Sequence, residues 1–143
     1  MKSLMFFFLA AFLGFNVHAQ DSNDLAAIEQ AVRDFASAGD QQNVEKLETV
    51  LHPQFRAVVN RLFGSEEVSL MDKAVYLQLI EAGKIGGDER SVHILQLEVV
   101  GNNASVRAVL DGKAMHFTTF MSLVKNTDGS WQVIGDFPHI QKV

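Results

Sequence analysis

Residues 90–137, RSVHILQLEVVGNNASVRAVLDGKAMHFTTFMSLVKNTDGSWQVIGDF, decide the fold. Apolar and polar residues alternate through Ala104, Val106, Ala108 and Leu110, and again through Met115, Phe117, Thr119, Met121 and Leu123, the period of a strand with one buried face. The breaks between these runs, Gly101-Asn102, Asp111-Gly112 and Asn126-Thr127-Asp128-Gly129, carry tight-turn chemistry. Four strands are therefore predicted, over 90–100, 104–111, 113–125 and 130–137, joined as a meander. In the first of them Val92 and Ile94 hand over to Leu95, Leu97 and Val99. A one-residue slip turns side chains to the other face, so a β-bulge is predicted near Ile94.

Upstream, the grammar is helical. Leu25, Ile28, Val32 and Phe35 form one stripe, with Asp21 to Asp24 offering N-cap oxygens and Gly39 a stop. A second helix is predicted over 43–51, ended by Pro53, which pushes the residue before it away from helical angles. Phe55 to Phe63 reads as a strand or bent ribbon. A third helix follows, started by Ser69 and Asp72, carrying Val75, Leu79 and Ala82 on one side, and closed by Gly83. Helices first and a meander after give an α+β domain: three N-terminal helices packed on a cone-shaped, curved antiparallel sheet of about four to six strands. The mouth of such a cone admits a small ligand.

The first nineteen residues have a different character. Lys2 precedes the apolar run Leu4–Phe15, and Val17-His18-Ala19 ends in a small residue, the layout of a secretory signal cleaved between Ala19 and Gln20. The apolar run is shorter than the roughly 20 residues a membrane-crossing helix needs. The expected product is an exported single domain, residues 20–143, free in the periplasm or outside the cell. Without Lys2 its balance is 11 basic against 17 acidic side chains, a formal −6. That charge, with no basic run to offset it, argues against nucleic acid or an anionic membrane as partner. The chain has no cysteine, which removes disulfides, thiol nucleophiles and thiolate metal ligands.

The order Gly39-Asp40, Leu51-His52-Pro53-x-Phe55, Gly83-Lys84, Gly86-Gly87, Arg90, Gly101-Asn102-x-Ala104, then Phe117 to Lys125, Asp128-Gly129-x-Trp131 and Phe137 resembles the nuclear-transport-factor-2-like superfamily. Within it, the pattern is most similar to the bacterial branch called "putative lumazine-binding". The resemblance implies the cone fold, pairing of two copies through the exposed sheet face, and a function drawn from a wide range: isomerases, dehydratases, SnoaL-like cyclases and ligand binders. Relatives commonly carry an acidic residue and a tyrosine where this chain has Thr119 and Phe120, so a carboxylate and a hydroxyl are lacking at those two positions.

Several residues can carry chemistry. His52 is a base near the pocket or, as the His-Pro corner favours, a group that fixes a helix end. His93 and His116 fall in strand phases that favour the surface. Asp136 is a candidate base if aromatic neighbours shield it, although alternation with Ile134 and Gln132 turns it to solvent. Tyr76 is the one tyrosine, displaced by one position from the stripe of the third helix and placed at a pocket edge. Arg56 and Arg90 suit bidentate anion contacts or rim ion pairs. Asp40 beside Gly39 suits a turn or cap. Phe55, Phe63, Phe117, Phe120 and Trp131 are the aromatic contributors to core and pocket. The expected ligand contacts are thus Phe55, Arg56, Tyr76, Arg90, Phe117, Thr119 and Trp131, with His52, Asp136 and Tyr76 as catalytic candidates. The histidines have no metal-ligand spacing, and neither metal nor cofactor is expected. No serine lies on a Gly-x-Ser-x-Gly elbow, and the 83–87 loop follows a helix instead of opening one. The expected function is binding of a small heteroaromatic or other amphipathic compound. An acid–base isomerase, dehydratase or cyclase is the alternative, and a homodimeric interaction module with a filled core is a third.

Overall fold

The computed structural model describes residues 17–143, with side chains from Ser22 onward; the signal-like segment up to residue 16 lies outside them. The order is α1 (Val17–Asp40), α2 (Val44–Val50), β1 (Leu51–Asn60), a 3-10 turn (Leu62–Gly64), β2 (Val68–Asp72), α3 (Lys73–Glu81), then β3 (Ser91–Val100), β4 (Asn103–Asp111), β5 (Met115–Lys125) and β6 (Trp131–Lys142). The six strands form one curved, unclosed sheet in the order β2-β1-β6-β5-β4-β3, with three helices packed on it. The fold is α+β, as expected.

Local chemistry accounts for the boundaries. Asn43 caps α2 by accepting from Lys46 N–H at 2.9 Å, and Asp72 caps α3 by accepting from Val75 N–H at 2.9 Å. The bulge predicted near Ile94 is present: Ile94 pairs with Ala108 and Gln96 with Arg107, leaving Leu95 unpaired. The slip lets Val92, Ile94, Leu97 and Val99 all pack against the core.

Five features differ from expectation. The helix α1 runs through Asp21 to Asp24 instead of starting after them, and passes Gly39 by one residue. The sheet is mixed, because β1 lies parallel to β6 while every other neighbouring pair is antiparallel. Alternation sets which face a residue occupies, but it is blind to the relative direction of strands far apart in sequence. The third helix, predicted to start at Ser69 and Asp72, begins at Lys73, and residues 68–72 form a short edge strand; Val68 and Leu70 are exposed, so burial leaves no trace there. The strand β1 begins at Leu51, with Pro53 inside an irregular stretch between the pairs Leu51–Val133 and Arg56–Gly135. Last, β6 continues five residues past Phe137 and carries a bulge of its own. Leu123 pairs with Val133 and Ser122 with Gly135, so Ile134 is left over.

The core fills the half of the cone nearest α2. Of the α1 stripe read from sequence, Ile28, Val32 and Phe35 are buried against Leu47, Phe55, Val106 and Leu123, while Leu25 is exposed. Its far end is fastened where Asp24 accepts from Trp131 Nε1 at 3.1 Å and from Lys125 Nζ at 3.0 Å. Towards α3 and the 84–90 segment the packing stops, and a hollow remains.

Candidate functional site

That hollow is a cavity of about 420 Å³. Its walls come from every layer: Phe35 of α1, Tyr76 of α3, Ala57 of β1, Met71 of β2, Leu110 of β4 and Phe117 of β5 all face it. Pro138 and Ile140, on the extension of β6, line it further out, and Phe63 stands at its mouth beneath Lys142 Nζ, 4.7 Å from the ring centre. Phe63 and Arg61 hold left-handed backbone angles (φ 50° and 54°), a costly conformation for residues with side chains. The version of the fold in which phenylalanine and leucine fill the cone is therefore not the one adopted.

Against these apolar walls stand Asp136, Thr119, Tyr76 and Arg90, with Ser69, Lys84 and Asp88 also lining the hollow. Asp136 is buried, with 9 % of it exposed, and its Oδ1 accepts at 2.5 Å from the hydroxyl of Thr119, itself 1 % exposed. Burial pushes its carboxyl up to about 6, against the opposing pulls of the Thr119 hydrogen bond and the Arg90 charge. Tyr76 packs against Phe35 and Phe55, with ring centres 6.1 and 5.3 Å apart. Burial, then the Asp136 charge, raises the pKa of its hydroxyl, so it stays a neutral phenol. Arg90 Nε donates to Asp40 Oδ1 at 2.5 Å, its backbone N–H to Asp40 Oδ2 at 2.9 Å, and Nη2 to the Ala36 carbonyl at 3.2 Å. Its guanidinium lies 4.9 Å from the centre of the Phe117 ring, a cation–π contact.

The 84–90 wall has no regular structure and is tied down by neighbours. Gly87 N–H donates to the Gly39 carbonyl at 3.2 Å. Gly86 has φ +77°, and a Cβ there would lie 2.3 Å from the same carbonyl oxygen, so only glycine fits. Asp88 accepts from the backbone N–H groups of Lys113, Ala114 and Met115 at 3.1, 2.9 and 3.2 Å. The Ala114 bond leads in holding the Asp88 carboxyl below its ordinary value.

The structure thus gathers Tyr76, Arg90, Phe117, Thr119 and Asp136 around one space, while Phe55 sits beneath it in contact with Tyr76. Two expected contacts and one catalytic candidate lie elsewhere. Arg56 is exposed and donates to the Phe55 carbonyl, Trp131 is at the opposite end of the cone, and His52 accepts from Gln54 N–H at 3.1 Å, fixing the corner beside Pro53. His93 is exposed beside Ser91, and His116 pairs with Asp111 outside the cavity. Phe120 points outward, 56 % exposed. The largest correction concerns Asp136. The Ile134 bulge advances the strand by one residue, turning Asp136 inward and Phe137 out. Among the described residues, no three His, Asp or Glu side chains converge as a metal site would need, and no helix is long and apolar enough to cross a membrane.

Helices covering a curved sheet around a ligand-sized hollow define a nuclear-transport-factor-2-like domain, and comparison with known proteins agrees. The chain belongs to the family described as "Putative lumazine-binding", whose sequence profile matches residues 23–137. Among solved structures, an NTF2-like protein of unknown function from Silicibacter pomeroyi superposes with a TM-score of 0.73 at 18 % identity, covering 85 % of this chain and 98 % of its own. A cystatin-like protein of unknown function from Nostoc punctiforme gives 0.68 at 15 %, covering 84 % and 92 %. A protein described as a putative scytalone dehydratase from Novosphingobium aromaticivorans gives 0.62 at 16 %, covering 87 % and 88 %. At such identities the likeness establishes the fold alone. No curated protein matches the sequence.

Proposed function

We propose that the chain is an exported domain that binds a small amphipathic compound in the cone, its apolar body against Phe35, Met71 and Phe117 and its polar end at Asp136 and Thr119. One observation carries this: a cavity of about 420 Å³ with mainly apolar walls and a buried carboxylate inside. Ligand pockets share that composition and have volumes of roughly 300 to 1,000 Å³. The family description adds a heteroaromatic compound to the candidates. A thermal-shift panel of pterins, flavins, steroids and aromatic acids tests the idea. A ligand at 100 times its dissociation constant is expected to add about 2.7 kcal/mol of stability. A panel with no stabilising member counts against it.

Acid–base catalysis is the second reading, and Asp136 favours it. A carboxylate whose pKa is pushed up to about 6 is matched to taking a proton near neutrality, with the neutral Tyr76 hydroxyl available as a donor to developing charge. The departure at Thr119 and Phe120 then loses its force, since the carboxylate comes from the neighbouring strand. Consumption of a panel member by the protein, abolished in Asp136→Asn, moves the assignment from binder to enzyme.

Export and pairing belong to the same proposal. Phe120 and Phe137 face each other across β5 and β6 on the outer face, about half exposed, with Leu70 further along that face. They offer an apolar patch suited to a second copy. Native mass spectrometry of protein recovered from a bacterial periplasm reads both points: a chain starting at Gln20, at twice its monomer mass. A monomer retaining Lys2 contradicts both.

A further inference from the structure

We propose that the cavity selects a positively charged ligand, an aromatic or alicyclic compound bearing a protonated amine or amidine that ion-pairs with Asp136. The inference rests on the cavity being a binding pocket and goes further by fixing the charge of what enters. Asp136 lines the hollow, and among the described residues the hydrogen bond its carboxylate accepts comes from Thr119 alone. An ionised carboxylate has room for about four donors. Its remaining acceptor sites are directed at a space walled by apolar carbon.

The charges around that space leave Asp136 without a close counter-ion. Arg90 is the cation whose field reaches it, yet Arg90 is engaged by Asp40 through two hydrogen bonds and by the Ala36 carbonyl, and rests on Phe117. Asp88 at the rim is engaged by three backbone N–H groups, and Lys84 is an exposed residue of the outer wall. Asp88 and Asp136 balance Lys84 and Arg90 among the lining residues, but Asp136 is the acid left without a committed partner. An anionic ligand meets that carboxylate with no free guanidinium to hold it. A cation supplies the missing partner in a medium that screens poorly. The lining suits it as well: Tyr76, Phe35 and Phe117 border the hollow, and aromatic rings attract cations. The Tyr76 hydroxyl has no hydrogen bond to another described residue, leaving its oxygen free to accept from an ammonium.

Three-ring fluorophores of matched size test this at fixed ionic strength: 9-aminoacridine as cation, acridone as neutral compound and 9-anthracenecarboxylate as anion. At pH 7.5 the cation is expected to bind about tenfold or more tighter than acridone, with the anion weakest, as a charge-assisted hydrogen bond in a buried site provides. The preference should fade as pH falls through about 6 and Asp136 takes a proton. The groups facing Asp136 are Tyr76 from α3, Thr119 from β5 and Arg90 before β3, with Asp40 behind Arg90; among the described residues no histidine lines the cavity. Asp136→Asn, its fold checked by circular dichroism, should lose the preference at pH 7.5. Acridone binding as tightly as the cation, or a preference indifferent to both pH and Asp136→Asn, overturns the charge assignment while leaving the pocket intact. Failure of all three probes removes the pocket, and the inference with it.

Discussion

Asp40→Ala is expected to destabilise the protein by about 3 to 5 kcal/mol, the usual cost of stripping one member from a buried ion pair. The Arg90 and Asp40 side chains are only 9 % and 8 % exposed, so water cannot replace the lost partner. The deletion also leaves the Arg90 N–H and Nε–H without their acceptor, and both of those bonds span fifty residues of chain. They fasten the end of α1 to the start of β3, and with it the 84–90 wall. Urea unfolding at pH 7.5 measures the effect. Asp40→Asn keeps an acceptor but removes the charge, and should fall between Asp40→Ala and the parent. A loss under about 1 kcal/mol for Asp40→Ala would place the pair among exposed salt bridges, which contribute that little.

Asp136→Asn has the opposite sign. Burial lifts the Asp136 pKa to about 6 from an ordinary 3.8, so the folded state binds that proton more tightly than the unfolded chain does. Ionising the carboxyl therefore costs stability. The cost is complete above pH 6, shrinks as pH falls through that value, and is absent below about 4. Asparagine has nearly the same shape, can still accept from Thr119, and carries no charge. It should gain about 3 kcal/mol at pH 7.5, from 1.36 kcal/mol for each pKa unit, and close to nothing at pH 4. Paired denaturation curves at the two pH values decide it. An Asn variant weaker than the parent at both would mean that the charge stabilises the fold. A stabilised variant that no longer recognises its ligand would show function and stability opposed at one side chain.

The fold was largely legible because its strong signals are local. Most of the α1 stripe, the Asp72 cap, the hairpin turns and the slip at Ile94 all follow from spacings within about ten residues. The pairing of β1 with β6 and the edge strand β2 were hidden, since neither the direction of a distant strand nor an exposed short one leaves a burial pattern. The cavity divides in the same way. Phe117 and Thr119 follow from a regular alternation, whereas the side of α3 predicted from Val75, Leu79 and Ala82 is not the buried one: Leu77 and Ile80 are buried, and Val75 and Ala82 are exposed. Arg90 was found as a residue, but its partner Asp40 lies fifty positions away and was read as a turn. Asp136 was placed on the wrong face because the bulge at Ile134 interrupts the count. The signal that could have exposed it is Phe137 itself: unbroken alternation would have put a phenylalanine beside Val133 inside the cone, where the chain instead reserves space.

Were β6 to run straight opposite β5, the carboxylate and the phenylalanine would trade places, and a hollow with an acidic centre would become an oily plug, with composition unchanged. A related chain lacking the Ile134 position would keep its acid inside with no irregularity at all. In this architecture, what a binding chamber offers its guest is inherited through the arithmetic of strand length as much as through the choice of amino acid.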